Sequence, residues 1–90
     1  MEVRTSKRFK QDLKICSKQG KDLNKLNFVL NLLKNGEKIP PNYHDHKLTG
    51  NFKNCRELHI EPDWLLVYMF QDNVIILLLA TGTHAKTLKL

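Results

Sequence analysis

Arg56-Glu57-Leu58-His59-Ile60-Glu61-Pro62-Asp63-Trp64-Leu65-Leu66-Val67-Tyr68-Met69-Phe70 runs into Gln71-Asp72-Asn73 and then Val74-Ile75-Ile76-Leu77-Leu78-Leu79-Ala80. At its start Arg56, Leu58 and Ile60 alternate with Glu57 and His59, the period of two expected of a strand with one buried face. Glu61-Pro62-Asp63 carries turn residues, Trp64 to Phe70 is a second apolar run, and Gln71-Asp72-Asn73 turns again before the β-branched and leucine-rich stretch. This predicts an antiparallel meander in which His59 points away from the core.

The sequence before it has a different period. Thr5 or Ser6 can cap a helix whose apolar positions Phe9, Leu13 and Cys16 repeat at helical spacing, and Gly20 closes it. Asp22 opens a second helix with Leu23, Leu26, Leu30 and Leu33 on one stripe, widened by Phe28, Val29 and Leu32, and Gly36 ends it. Pro40-Pro41 resists helix, so Gly36 to Gly50 is expected to cross the surface irregularly, carrying His44 and His46. Met1 to Arg4 reads as a short further strand. The expected fold is α+β, in the order β-α-α-β-β-β, an antiparallel sheet with a helical hairpin packed on one face, forming one domain over residues 1–90.

Charge divides the chain. Residues 1–38 hold ten basic and four acidic side chains, whereas 39–90 hold five of each, so the net +6 sits in the first segment. A basic half beside a neutral, histidine-bearing half suits a protein that docks on polyphosphate with one surface and does chemistry with another; solvated lysines on amphipathic helices account for the charge equally well. Cys16 and Cys55 form no CxxC pair and read as free thiols in a reducing compartment. The N-terminal residues lack the apolar core of a signal peptide, and Val74 to Ala80 is too short to span a bilayer, so a cytoplasmic protein without membrane attachment is expected.

All four histidines lie after residue 43: His44-Asp45-His46, His59, and His84 after Thr83, with Asp63 in the turn between strands. These are the side chains best suited to exchange protons near neutral pH. His44-x-His46 in an extended segment turns two imidazoles to one side. With His59, Asp63 or His84 it would make a metal-ligand set, which gives a metal-dependent hydrolase as one reading.

Several segments in order carry a resemblance: Lys21-Asp22-Leu23-Asn24-Lys25-Leu26, Tyr43-His44-Asp45-His46-Lys47-Leu48-Thr49-Gly50, Arg56-Glu57, Glu61-Pro62-Asp63-Trp64-Leu65-Leu66-Val67-Tyr68 and Thr81-Gly82-Thr83-His84. Together they resemble the YafQ-like branch of the RelE superfamily of bacterial toxins over nearly the full chain. The resemblance implies the small RelE-like fold and the toxin of a type II toxin–antitoxin pair. It also implies an endoribonuclease that enters the ribosomal A site and cuts mRNA there, and a DinJ-like antitoxin encoded beside it that holds it silent.

Carried over by position, His46, His59, Asp63 and His84 match the family's catalytic positions. His46 and Asp63 are assigned to acid–base work, and His84 to proton transfer or phosphate contact. RNA cleavage of this kind needs no cofactor, because the ribose 2′-hydroxyl attacks the adjacent phosphorus as a base takes its proton and an acid protonates the leaving 5′-oxygen. Lys53, Arg56 and Lys86 are the expected phosphate contacts. Trp64 is expected to stack on a base and Glu57 to orient a histidine. Local accounts compete with these roles: an aspartate after proline serves a turn, a tryptophan at a strand start serves a core, and Glu57 serves as a solvated strand carboxylate.

The chain departs from the family in two places. Ala80 stands where relatives often carry arginine, and Leu88 where they often carry an aromatic residue. The first removes a charge-assisted phosphate contact and the second a stacking surface. A binding module without catalysis is therefore a further reading.

Overall fold

The computed structural model describes residues 1–50, 54–72 and 75–83. Its elements are β1 (Glu2–Thr5), α1 (Lys7–Lys18), α2 (Leu23–Lys34), β2 (His46–Lys47), β3 (Arg56–Glu61), β4 (Trp64–Gln71) and β5 (Ile75–Gly82), with a 3₁₀ turn at Pro41–Tyr43 before β2. The sheet has five strands in the order β1-β5-β4-β3-β2.

Local chemistry explains the helices. Ser6 caps α1 through its hydroxyl, which accepts from the Phe9 amide at 2.9 Å, and Asp22 caps α2 by accepting from the Asn24 amide at 3.0 Å. Both helices end on a glycine at positive φ, +78° at Gly20 and +69° at Gly36. In each case the two amides beyond the last turn fold back, Gly20 to the Ser17 carbonyl and Lys21 to Cys16, then Gly36 to Leu33 and Glu37 to Leu32.

The helices cover one face of the sheet. Phe9, Cys16, Leu26, Val29 and Leu33 pack against Leu58, Ile60, Trp64, Leu66, Tyr68, Ile76 and Leu78, all buried. Each such side chain contributes about 1.5–3 kcal/mol, and together they fix the hairpin on the sheet. The other face carries a smaller cluster of Cys55, Val67 and Ala80. Burial pushes both cysteine thiols up from their ordinary range, which keeps them protonated and unreactive.

The meander appears as read, with β3, β4 and β5 antiparallel. Three features differ from the sequence reading. First, β1 pairs parallel to β5, Val3 opposite Ile76 and Thr5 opposite Leu78, so the sheet is mixed. A parallel partner needs a long crossover, which the helices and meander supply. Second, the crossing segment contains a true strand, β2, which pairs His46 with Glu57 and Lys47 with Arg56. Two residues are too few to show a period. Third, Phe28 does not widen the buried stripe of α2; it stands 55% exposed.

A structural network ties the helices to the last strand. Asp12 accepts from the Thr81 amide at 3.1 Å, the Trp64 indole donates to the Thr81 hydroxyl at 2.9 Å, and that hydroxyl donates to the Leu65 carbonyl at 2.7 Å.

Candidate active site

Strand pairing brings the site together. His46 on β2 lies directly opposite Glu57 on β3, Glu57 opposite Val67 on β4, and Val67 opposite Ala80 on β5. Residues in such a row point to the same side of the sheet, here the face away from the helices. His59, two residues along β3 from Glu57, joins them in the next row opposite Leu65.

Glu57 is the centre of the group. It is buried at 2% exposure, and one carboxylate oxygen, Oε1, lies 3.1 Å from Nε2 of His59 and 3.9 Å from Nε2 of His46. The opposite nitrogens also meet acceptors: Nδ1 of His46 lies 2.6 Å from the His44 carbonyl, and Nδ1 of His59 lies 3.3 Å from the Pro62 carbonyl. Neutral imidazole has one N–H, whereas imidazolium has two. Each ring thus stands between the Glu57 carboxylate and a backbone carbonyl, and His59 alone lies within hydrogen-bond distance of both.

The ring of His44 completes the cluster. Its centroid is 5.9 Å from that of His59 in an edge-on arrangement, and His46 and His59 are 6.4 Å apart. His44 takes a left-handed backbone conformation, φ 50° and ψ 41°, where it ends the 3₁₀ turn. Such conformations are costly for a residue with a Cβ and are tolerated where surrounding contacts hold them.

Those contacts are visible one residue on. The Arg56 guanidinium forms a fork with Asp45, Nη2 at 2.9 Å and Nε at 3.3 Å from Oδ2, and the Tyr68 hydroxyl donates to Asp45 Oδ1 at 2.5 Å. Burial, followed by the neighbouring Asp45 carboxylate, pushes the Tyr68 phenol far up, so it stays protonated as a donor. The same carboxylate raises the Arg56 guanidinium further. This triad fastens the segment between His44 and His46 to β3 and β4.

These positions bear on two expected substrate contacts. Trp64 is 0% exposed, packed among the helix-facing core residues with its indole N–H engaged by Thr81, so its ring has no face open to a nucleobase. Lys21 Nζ lies over it, 5.4 Å from the centroid. Arg56 alternates with Glu57 and so projects to the helix side with its partner Tyr68; its charge is committed to Asp45.

Asp63 lies exposed in the turn between β3 and β4, one residue beyond the carbonyl that faces His59. Glu57 is not a solvated carboxylate, and its burial was not legible from alternation alone. Ala80 lies buried on the same face and in the same cross-strand row as Glu57 and His46. Lys53, His84, Lys86 and Leu88 lie outside the described residues. Among the described residues no group of three or more His, Cys, Asp or Glu side chains is arranged to hold a metal ion, and no described helix is long and apolar enough to cross a membrane.

A sheet with a helical hairpin on one face and a histidine–carboxylate cluster on the other makes the chain a small α+β protein with its candidate site on the open face of the sheet. Residues 1–89 match the model of a bacterial toxin of type II toxin–antitoxin systems, YafQ, and the chain belongs to that family. It is 39% identical over 85 residues to the mRNA interferase toxin YafQ of Escherichia coli K12, covering 93% of this chain and 91% of that protein. The YafQ of the E. coli DinJ–YafQ toxin–antitoxin complex superposes with a TM-score of 0.85 at 38% identity, over 94% of this chain and 93% of that one. A metal-bound toxin from Helicobacter pylori superposes with a TM-score of 0.89 at 39% identity, over 96% and 97%.

Proposed function

We propose that this chain, acting as one domain over residues 1–90, is an mRNA interferase: an endoribonuclease that cuts mRNA in the ribosomal A site by acid–base chemistry without a metal. The observation that carries the reading is the convergence of His46 and His59 on the buried Glu57. Two imidazoles held beside one carboxylate put groups that can give and take protons on a surface where a phosphate can be attacked and its leaving oxygen protonated.

In this scheme the 2′-hydroxyl attacks the adjacent phosphorus and the bond to the 5′-oxygen breaks. His46, half exposed, supplies the proton to the leaving oxygen. Asp63 takes the proton from the 2′-hydroxyl. His59 and His84 contact the phosphate, with Lys53 and Lys86 as further cations. Glu57 touches neither oxygen and acts as a positioning residue, holding both rings in place.

Membership of a toxin–antitoxin family, together with the DinJ–YafQ complex, supports a cognate DinJ-like antitoxin as the regulator. The lysines of α1 and α2 are suited to contacts with ribosomal RNA, and the site of action is then the cytoplasm.

The test is a cell-free translation system with a zinc-selective chelator, so that ribosomal magnesium is kept, with mRNA 5′ ends mapped by primer extension. Cuts inside translated codons are expected. Intact mRNA would overturn the reading in favour of a binding module, the alternative that Ala80 on the site face keeps in view.

A further inference from the structure

We propose that a groove leading from His59 past Tyr43 to Phe28 is a second nucleotide subsite, which holds an unpaired ribonucleotide next to the one that is cut. The proposal rests on the nuclease reading above and deepens it by placing a determinant of sequence preference.

The groove comprises two adjacent cavities. One, of about 420 Å³, is walled by His44, His59, Glu61 and Pro62; the other, of about 350 Å³, by Asn24, Lys25 and Phe28. Asn42, Tyr43 and Ile60 line both, so the two are neighbours and the groove runs past these three residues at the edge of the sheet. It can pass there because β2 pairs only with Arg56 and Glu57, and no described strand lies along the outer edge of β3 beyond them. Each half is in the size range of small-ligand sites, roughly 300–1,000 Å³.

The lining matches a nucleotide. Phe28 is the most exposed of the large hydrophobic side chains among the described residues, at 55%, although Leu26 and Val29 beside it on α2 are buried. A phenyl left in water beside a phenol offers stacking surface, the usual way in which single-stranded RNA is held. Asn24 and Asn42 add amides, which carry both donors and acceptors and can read a base edge.

Charge admits an anionic ligand, and position favours RNA over an acidic peptide. The Lys25 ammonium, at the rim, is paired with Glu61 at 2.6 Å, with its side chain 52% exposed. Glu61, the one carboxylate among the described residues lining either cavity, is thereby neutralised, so it does not repel a phosphate. Its open end is the histidine cluster, where a flanking nucleotide has to lie.

The test uses two readouts. A fluorescein-labelled hexaribonucleotide with 2′-O-methyl groups, which block the nucleophile, is titrated by anisotropy and by NMR. Binding is expected to shift the side-chain amide signals of Asn24 and Asn42, and Phe28→Ala to weaken it about tenfold. In translating extracts, Phe28→Ala and Asn42→Ala are expected to flatten the base preference beside the cut. Equal affinity and unchanged preference in Phe28→Ala would overturn the proposal, as would a loss confined to antitoxin binding. Intact mRNA with wild type, while the oligonucleotide still shifts Asn24 and Asn42, would remove the nuclease reading and leave the RNA site standing. Circular dichroism checks folding, which an exposed Phe28 replaced by a better helix former should not disturb.

Discussion

His46→Ala is expected to slow mRNA cleavage by about 100- to 10,000-fold, the range lost when a positioned general acid is removed. His46 is the exposed ring of the Glu57 pair, with its side chain 50% accessible against 25% for His59, and so is the one that can reach a leaving oxygen. Its removal leaves the core untouched, because β2 pairs through backbone and its two side chains are exposed. The variant should therefore melt as the wild type does and still bind RNA. Single-turnover cleavage rates on programmed ribosomes measure the effect; a loss below about fivefold would remove His46 from proton transfer.

Glu57→Gln is expected to lower the cleavage rate on the order of 100-fold with little change in the concentration needed for half-saturation. Glutamine keeps the shape of the buried side chain but withdraws the charge that faces both Nε2 atoms. Small losses of ring orientation carry penalties of that size, and an interaction used in the transition state alone appears in kcat and not in KM. A readout that packing alone would not move is the ¹⁵N spectrum of the imidazoles. The signals of His46 and His59 should both change in Glu57→Gln at constant pH. Unchanged ring signals with a lowered melting temperature would make Glu57 a structural residue only.

The sequence carried much of this architecture because the relevant forces are local. Alternation of Leu58 and Ile60 with Glu57 and His59 states which side chains turn toward the helices, Ser6 and Asp22 announce helix starts, and Gly20 and Gly36 announce their ends. Pairings between distant segments leave no such mark. Nothing in Glu2–Thr5 says that it runs parallel to β5, and nothing in His46–Lys47 says that it is a strand.

The same limit explains the site. Histidines and motif positions identified His46, His59 and Asp63 as candidates, but the depth of Glu57 depends on strands on both sides of it, and only the assembled sheet reveals a carboxylate facing two rings. The surroundings of Trp64 and Arg56 were hidden for a related reason. Each has chemistry suited to RNA, and each is already engaged, Trp64 by Thr81 and the helices, Arg56 by Asp45 and Tyr68. Phe28 misled in the opposite sense, since an aromatic residue at helical spacing reads as core until the second helix is seen to turn it outward.

The central claim is metal-free attack by the ribose 2′-hydroxyl at the histidine cluster, and the end groups of the cut RNA test it most directly. Fragments from translating ribosomes under zinc-selective chelation are predicted to carry a 2′,3′-cyclic phosphate on the upstream piece and a 5′-hydroxyl on the downstream piece. A 3′-hydroxyl with a 5′-phosphate, or cutting that stops when the chelator is added, would mean that water activated by a metal is the nucleophile and would contradict the account.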